Sequence, residues 1–376
     1  MSTSTCRNLM AALLVVSAPA FAGGDEGGWS YDDHFRFELP ESNFELDIFN
    51  RTQFRLTAVD PELGEGGESF DLKRYRLLFD AKAFKYWEFR LQTDFATGSL
   101  RDDEDEADLL LDAFIVFNRK SIAQLWFGQG KVDFGRQQLV DFFHQQFVER
   151  SIASERFVHG RDVGVALKGR NQKGTYEYSV GVYNGNGINE TTDENDDYLT
   201  AARMAIMPLG PMESPLWMTE SDPDWTTNPE AKLAVAVAVT SQNQGAIENE
   251  RVQTAALEFA FRVRGLSINA EFFTESEDIL TGPPADETDT DGWYAQAGYI
   301  FPISEMFRFE VALRYSEILR DTIDSDDTEA GVAFAWYFRG QNQKLQLDLR
   351  DLEFEGIQAT PRVNRQEGRL QFQLIF

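Results

Sequence analysis

An alternation of apolar and polar side chains, held for about ten residues and recurring along the chain, less cleanly at 109–117 and 123–131, limits the fold more than any other feature. Strand side chains point to opposite faces in turn, so each repeat presents one apolar stripe and one polar stripe. At the end of the chain Gly368, Leu370, Phe372, Leu374 and Phe376 oppose Arg365, Glu367, Arg369, Gln371 and Gln373. Near its start Phe44, Leu46, Ile48, Thr52, Phe54 and Leu56 oppose Glu45, Asp47, Arg51, Gln53 and Arg55. Phe307, Phe309, Val311, Leu313 and Tyr315 oppose Arg308, Glu310 and Arg314, and the terminal repeat is the sixteenth. A soluble antiparallel sheet carries the same alternation. The number of repeats and the segments between them must therefore decide.

Those segments alternate in length. Short connections fall near Phe84–Tyr86, Arg119–Ser121, Asn171–Lys173, Arg264–Gly265, Pro302–Glu305 and Gly340–Asn342. Long polar ones occupy 60–68, 98–107, 132–160, 184–197, 240–251, 276–291, 318–327 and 356–364. Short turns on one rim and long loops on the other are expected of an outer-membrane barrel. Pro208 to Glu230 breaks the rule, being long where a short turn is due. A ten-residue strand crosses a bilayer when tilted. The polar stripe cannot face lipid, where an Arg at mid-depth costs about 2–4 kcal/mol, so it must line a wet interior. Sixteen strands enclose a water-filled lumen, whereas eight are filled by side chains. The expected fold is all-β, a sixteen-stranded antiparallel transmembrane β-barrel spanning 44–376.

Composition agrees. Mean hydropathy is −0.39, and no run of about eighteen apolar residues follows the N-terminus, so a membrane helix is not expected. Aromatics reach 13%, with 31 Phe against 12 Pro, which suits strands. Residues 1–22 read as a signal peptide: Arg7, then an apolar run from Leu9 to Val16, then Ala20-Phe21-Ala22. Cys6 precedes the apolar run rather than ending it, which argues against a lipoprotein signal; it is the sole Cys, so no disulfide is expected. Gly23 to Asn43 is Gly-rich and acidic without a sustained period, and reads as an exposed periplasmic leader. The net charge of −28 argues against nucleic acid and anionic lipid surfaces as partners.

One long connection has internal character. In 132–160 good helix formers dominate from Gln137 to Ser154, with Phe142, Phe143, Phe147 and Ile152 as apolar contacts. A helical segment so rich in Phe is expected to fold inward, pack on the wall and constrict the pore; the competing reading is a cap on the outer rim or over a subunit contact. Anion passage there needs fixed positive charge, and Arg binds phosphate or carboxylate through a planar fork without deprotonating. The candidates are Lys131, Arg136, Arg150, Arg156, Arg161 and, on the wall, Arg203. Further wall cations are Arg51, Arg55, Arg74, Arg76, Arg90, Arg262, Arg308, Arg314, Arg350 and Arg369. Any one wall Arg is more readily explained as the partner of a lumen acid such as Asp47, Glu88, Asp94, Glu258, Glu271 or Glu310. The net negative charge does not contradict an anion path, because acid runs gather in the long loops about two Debye lengths above mid-depth. Those runs carry no fixed ligand spacing for Ca²⁺ or Mg²⁺.

Gly128-Gln129-Gly130-Lys131-Val132, Phe134-Gly135, Arg150-Ser151-Ile152-Ala153 and Gly160-Arg161-Asp162-Val163-Gly164-Val165 resemble successive landmarks of the phosphate-selective porin O and P family. Tyr183-Asn184-Gly185-Asn186-Gly187 and Ala202-Arg203 through Pro208-Leu209-Gly210 continue the likeness over the mature chain. The resemblance implies a trimeric sixteen-stranded outer-membrane channel with an inward-folded third extracellular loop. It also implies tolerance of the long 208–230 connection and a terminal Phe376 serving as an assembly signal. The chain departs from the family in Gly130 and Asp133, where an aromatic and a Pro are usual, and in Lys, with 9 against 26 Arg.

The function expected is passive diffusion of small hydrophilic solutes, anion-leaning in the manner of a phosphate-type channel, with no cofactor, no metal and no catalysis. The partners expected are those solutes, outer-membrane lipid and two further copies in a homotrimer. The alternatives are a non-selective or cation-leaning general porin, a barrel enzyme using His144 with Ser151 or Ser154, and a structural or adhesin barrel blocked by 132–160.

Overall fold

The computed structural model describes residues 27–31, 33–61, 66–96, 109–190, 198–212, 218–244, 250–279, 288–304, 307–320, 325–354 and 363–376. The expected signal peptide lies outside them. The strands are β1 (Gly28–Tyr31), β2 (Phe35–Leu39), β3 (Phe44–Pro61), β4 (Gly67–Ala83), β5 (Trp87–Asp94), β6 (Leu110–Lys120), β7 (Ala123–Lys131), β8 (Arg161–Arg170) and β9 (Tyr176–Tyr183). They continue as β10 (Leu199–Ile206), β11 (Lys232–Gln244), β12 (Glu250–Val263), β13 (Leu266–Ile279), β14 (Thr288–Pro302), β15 (Arg308–Arg320), β16 (Ser325–Arg339), β17 (Gln343–Phe354) and β18 (Val363–Ile375). From β3 to β18 each strand pairs antiparallel with the next, and β18 pairs back onto β3, closing a ring of sixteen. Phe376 completes the seam, its amide and carbonyl both bonded to Asn50. Closure leaves no open edge within the ring, which a backbone surrounded by hydrocarbon requires.

The ring is inside-out relative to a soluble protein. Val180, Val237, Leu257, Leu313 and Leu349 are exposed, while Arg51, Arg314, Glu329, Lys344 and Asp348 are buried. Along β15 the exposed Leu313 and Tyr315 alternate with the buried Ala312, Arg314 and Ser316. A wall of this sign is stable only with apolar solvent outside and polar contacts within. No helix among the described residues is long and apolar enough to cross a membrane.

Strands overrun the lengths expected of them. β3 has 18 residues and β4 has 17, and both enter the segment expected as loop 60–68. Likewise β11, β12, β13, β14, β15 and β16 extend into the loops at 240–251, 276–291 and 318–327. Polar strand ends keep pairing beyond the apolar band, and composition cannot distinguish them from loop. The segment 97–108 lies outside the described residues.

The N-terminal stretch also corrects the expectation of a leader without strands. β1 and β2 form a hairpin, Trp29 opposite Phe37 and Tyr31 opposite Phe35. β2 in turn pairs with β3 from Phe44 to Ile48. β18 ends beside Asn50, so the first turns of β3 have backbone groups without a partner on that side, and β2 supplies them. The alternation in so short a hairpin is hidden by the acidic, Gly-rich residues around it.

Candidate functional site

The connection from β7 to β8 lies against the inward faces of strands on both sides of the ring. It begins at Gly135, whose φ of +76° favours glycine and where a Cβ would stand 3.0 Å from Val158. Helix α1 (Arg136–Leu139) follows, without a side chain at its N-cap. Glu271 of β13 supplies the cap, accepting the amides of Arg136 at 2.5 Å and Gln137 at 2.8 Å and the Tyr294 hydroxyl at 2.7 Å. At the other end Lys131 Nζ donates to the carbonyls of Gln138, Leu139 and Val140. Asp141 caps a single 3₁₀ turn at Phe142–His144 and accepts Arg51 Nη1 at 2.8 Å.

The helix expected from Gln137 to Ser154 then fails, and the wall explains why. Gln373 donates to the Phe143 carbonyl, Lys344 to that of Gln145, and Gln346 to those of Gln145 and Gln146. Arg314 donates to the carbonyls of Glu149 and Arg150. Asp348 accepts the Val148 amide, Glu329 that of Ile152 and Ser316 that of Ala153. Buried backbone groups must be bonded, and here wall side chains replace the intrahelical partners. Only α2 (Ile152–Phe157) re-forms, capped by the Ser151 hydroxyl, which accepts the Ser154 amide and donates to Gln137. Phe143 and Phe147 are fully buried, and Phe157 stacks on Phe273 with ring centres 5.3 Å apart.

The candidate cations separate into two groups. Lys131, Arg150 and Arg161 gather on the side formed by β3 to β8, with Arg51, Arg55, Arg74, Arg76 and Arg90. There Phe142 is held between two guanidiniums, Arg74 at 3.6 Å and Arg150 at 3.9 Å from its ring centre. Glu149 is shared by Arg55 at 2.6 Å and Arg74 at 2.8 Å. Arg76 meets Asp94, Arg90 meets Asp80 and Arg161 meets Asp112. Lys131 meets backbone carbonyls, and Arg150 a half-exposed Glu155 at 3.3 Å. Among the described residues of this side, these cations outnumber the carboxylates that pair with them.

Burial opposes ionisation of Glu149, but Arg74 and Arg55 outweigh it and hold the carboxyl well below the usual range. Burial lowers Arg150 to about 10; Glu155 opposes that, while Arg74 and Arg161 reinforce it. Arg150 stays charged at neutral pH.

Arg136, Arg156 and Arg203 do not join this group. Arg203 is clamped by Glu258 through both nitrogens of one fork and by Glu177. Arg156 is largely exposed and pairs with Glu275 at 2.7 Å. Arg136 donates to the Thr219 carbonyl. Of the expected acid partners, Asp94 and Glu258 do bind wall Arg, and Asp47 binds Arg36, outside the barrel strands. Glu88 instead accepts from Asn118, Glu271 caps α1, and Glu310 binds Tyr337 and Gln146. Glu149, Glu220 and the glutamines at 53, 346 and 373 were not singled out by sequence. Their only sequence signal is their inward parity or their place in an irregular connection.

A family model described as phosphate-selective porin O and P matches residues 47–376. Among curated proteins none matches the chain in sequence. Similar solved structures include an anion-selective porin from Comamonas acidovorans, 11% identical, covering 89% of this chain and 100% of that one, with a TM-score of 0.61. The outer-membrane channel DcaP of Acinetobacter baumannii is 13% identical, covering 90% and 99%, at 0.58. OmpT of Vibrio cholerae in trimer form is 11% identical, covering 88% and 99%, at 0.54.

Proposed function

Because the chain belongs to the phosphate-selective porin O and P family, it is an outer-membrane porin and a passive diffusion channel, and we propose that the solutes it passes are small anions. One arrangement supports the reading: the Arg74–Phe142–Arg150 stack, with Glu149 divided between Arg55 and Arg74. On this reading residues 132–160 narrow the bore, and the anion path follows the β3 to β8 side, where the guanidiniums gather. Arg150 and Arg161 contribute its charge with Arg74 and Arg76, while Lys131 is taken up by the three carbonyls that end α1. Guanidiniums held by stacking and by a shared carboxylate keep their place without a side-chain search, so a passing anion meets preorganised donors. Arg136 and Arg203 hold the structure instead, and Arg156 is peripheral.

The test is the reversal potential of the purified protein in a planar bilayer under a salt gradient. An anion-selective potential supports the proposal; a cation-selective one leaves a general porin governed by its acidic outer loops. A homotrimer embedded in outer-membrane lipid completes the reading, supported by the trimer form of one structural relative. A detergent-corrected mass of one copy in native-like micelles would remove the trimer.

A further inference from the structure

The irregular connection between β10 and β11 has a use that turn closure does not explain. A rim turn of a few residues would join these strands, yet this one sends Met218, Glu220 and Ser221 into burial at 4%, 1% and 0% exposure. It enters from the short-turn rim. Trp225 lies against Gly265, where a Cβ would stand 2.9 Å from the indole nitrogen. Gln341, in the turn between β16 and β17, donates to the Ser221 carbonyl.

From there the segment meets residues 132–160 from below. The Glu220 amide donates to the His144 carbonyl at 3.1 Å. Its carboxylate accepts Gln137 Nε2 on one oxygen and the Gln146 amide on the other, both at 2.7 Å. Its own carbonyl accepts Asn269 of β13 at 3.0 Å. Gln137 also accepts the amide and hydroxyl of Ser151, so one side chain links Glu220 to both helical turns of the connection.

We propose that residues 218–226 form a strap on the periplasmic side that sets the position of the constriction, with Glu220 as its positioning residue. The aperture is then defined from both faces of the membrane: the 132–160 connection from one side and the strap from the other. The inference rests on reading 132–160 as the constriction. Glu220 bonds Gln137, Gln146 and His144 and not the Arg74–Phe142–Arg150 stack, and it acts by holding Gln137 and Gln146 rather than by meeting the solute.

The experiment compares single-channel records of the full-length protein, Glu220→Gln and Glu220→Ala in planar bilayers. Gln keeps one acceptor oxygen and loses the other; Ala loses both. The expected result is a graded rise in open-channel conductance and current noise, about twofold in conductance for Ala and less for Gln, as a loosened support shell lets the site spread. Conductance and noise equal to wild type in the folded variants would overturn the proposal, even where thermal stability falls. If only Glu220→Gln folds, added noise supports the strap and its absence overturns it. The wild-type reversal potential, read from the same records, tests anion preference separately.

Discussion

The two sides of the lumen use the same residue types for opposite ends. On the side formed by β12 to β17, carboxylates bond the backbone of the connection even where they also hold a guanidinium: Glu271 caps α1, Asp348, paired with Arg369, accepts the Val148 amide, and Glu329, paired with Arg314, that of Ile152. On the side formed by β3 to β8, carboxylates meet guanidiniums, and Glu149 must serve two. The first side holds the connection by its backbone and the second by its acidic side chains, where the described cations outnumber the carboxylates paired with them. The identity of a charged residue therefore says little about its role; what it faces decides.

The comparison breaks first at its anchors. Arg314→Ala removes a fully buried partner of Glu329 and two donors to the connection. Among the described cations Arg350 is then the one left near Glu329, at 3.6 Å. Loss of such a partner should lower stability by about 3 kcal/mol, read by urea unfolding from micelles. Glu271→Ala should cost about 2–3 kcal/mol, because two amides and a hydroxyl lose their acceptor. A near-neutral result for both would mean that the connection is not anchored there.

The pH dependence is next. Burial pushes His144 and His159 from 6.5 down to about 4. The unfolded chain takes up these protons at higher pH than the native state, so stability is full above about 6.5 and falls as pH drops toward 4. Glu149 stays ionised throughout that window. Unfolding curves at pH 7.5 and 4.5 should differ, and the conservative His144→Gln variant should flatten the difference; identical curves would show both rings to be solvated.

The charge surplus predicts smaller effects. A unit charge about 8 Å from an ion in a watery bore is worth about 0.5 kcal/mol, near twofold in occupancy. Arg74→Gln and Arg150→Gln should each reduce the anion-to-cation permeability ratio by about the square of that factor, roughly four- to sixfold, because the cation is disfavoured by as much as the anion is favoured. Arg156→Gln, on an exposed pair, should leave the ratio unchanged and alter stability by less than about 1 kcal/mol. If Arg156 matters as much as Arg74, the filter lies elsewhere.

The barrel was legible because alternation recurs along the chain, from Phe44 on β3 to Phe376 after β18, though less cleanly at 109–117 and 123–131. The interior was less so. Helix formers from Gln137 to Ser154 promised a helix, but their partners are glutamines and acids on strands far away in sequence, such as Gln346 and Asp348. Lys131, Arg150 and Arg161 share the neighbourhood that their closeness to one connection suggests, whereas α1 turns Arg136 toward Thr219. Pro208 to Glu230 stood out only as a length anomaly; nothing local reveals that Glu220 faces Gln146.

The most direct test of the charge reading is the sign of the wild-type zero-current potential across a tenfold KCl gradient. The sign expected is the one set by chloride movement, with the potential diminished in Arg74→Gln. A potential set by potassium, unchanged in that variant, would contradict it.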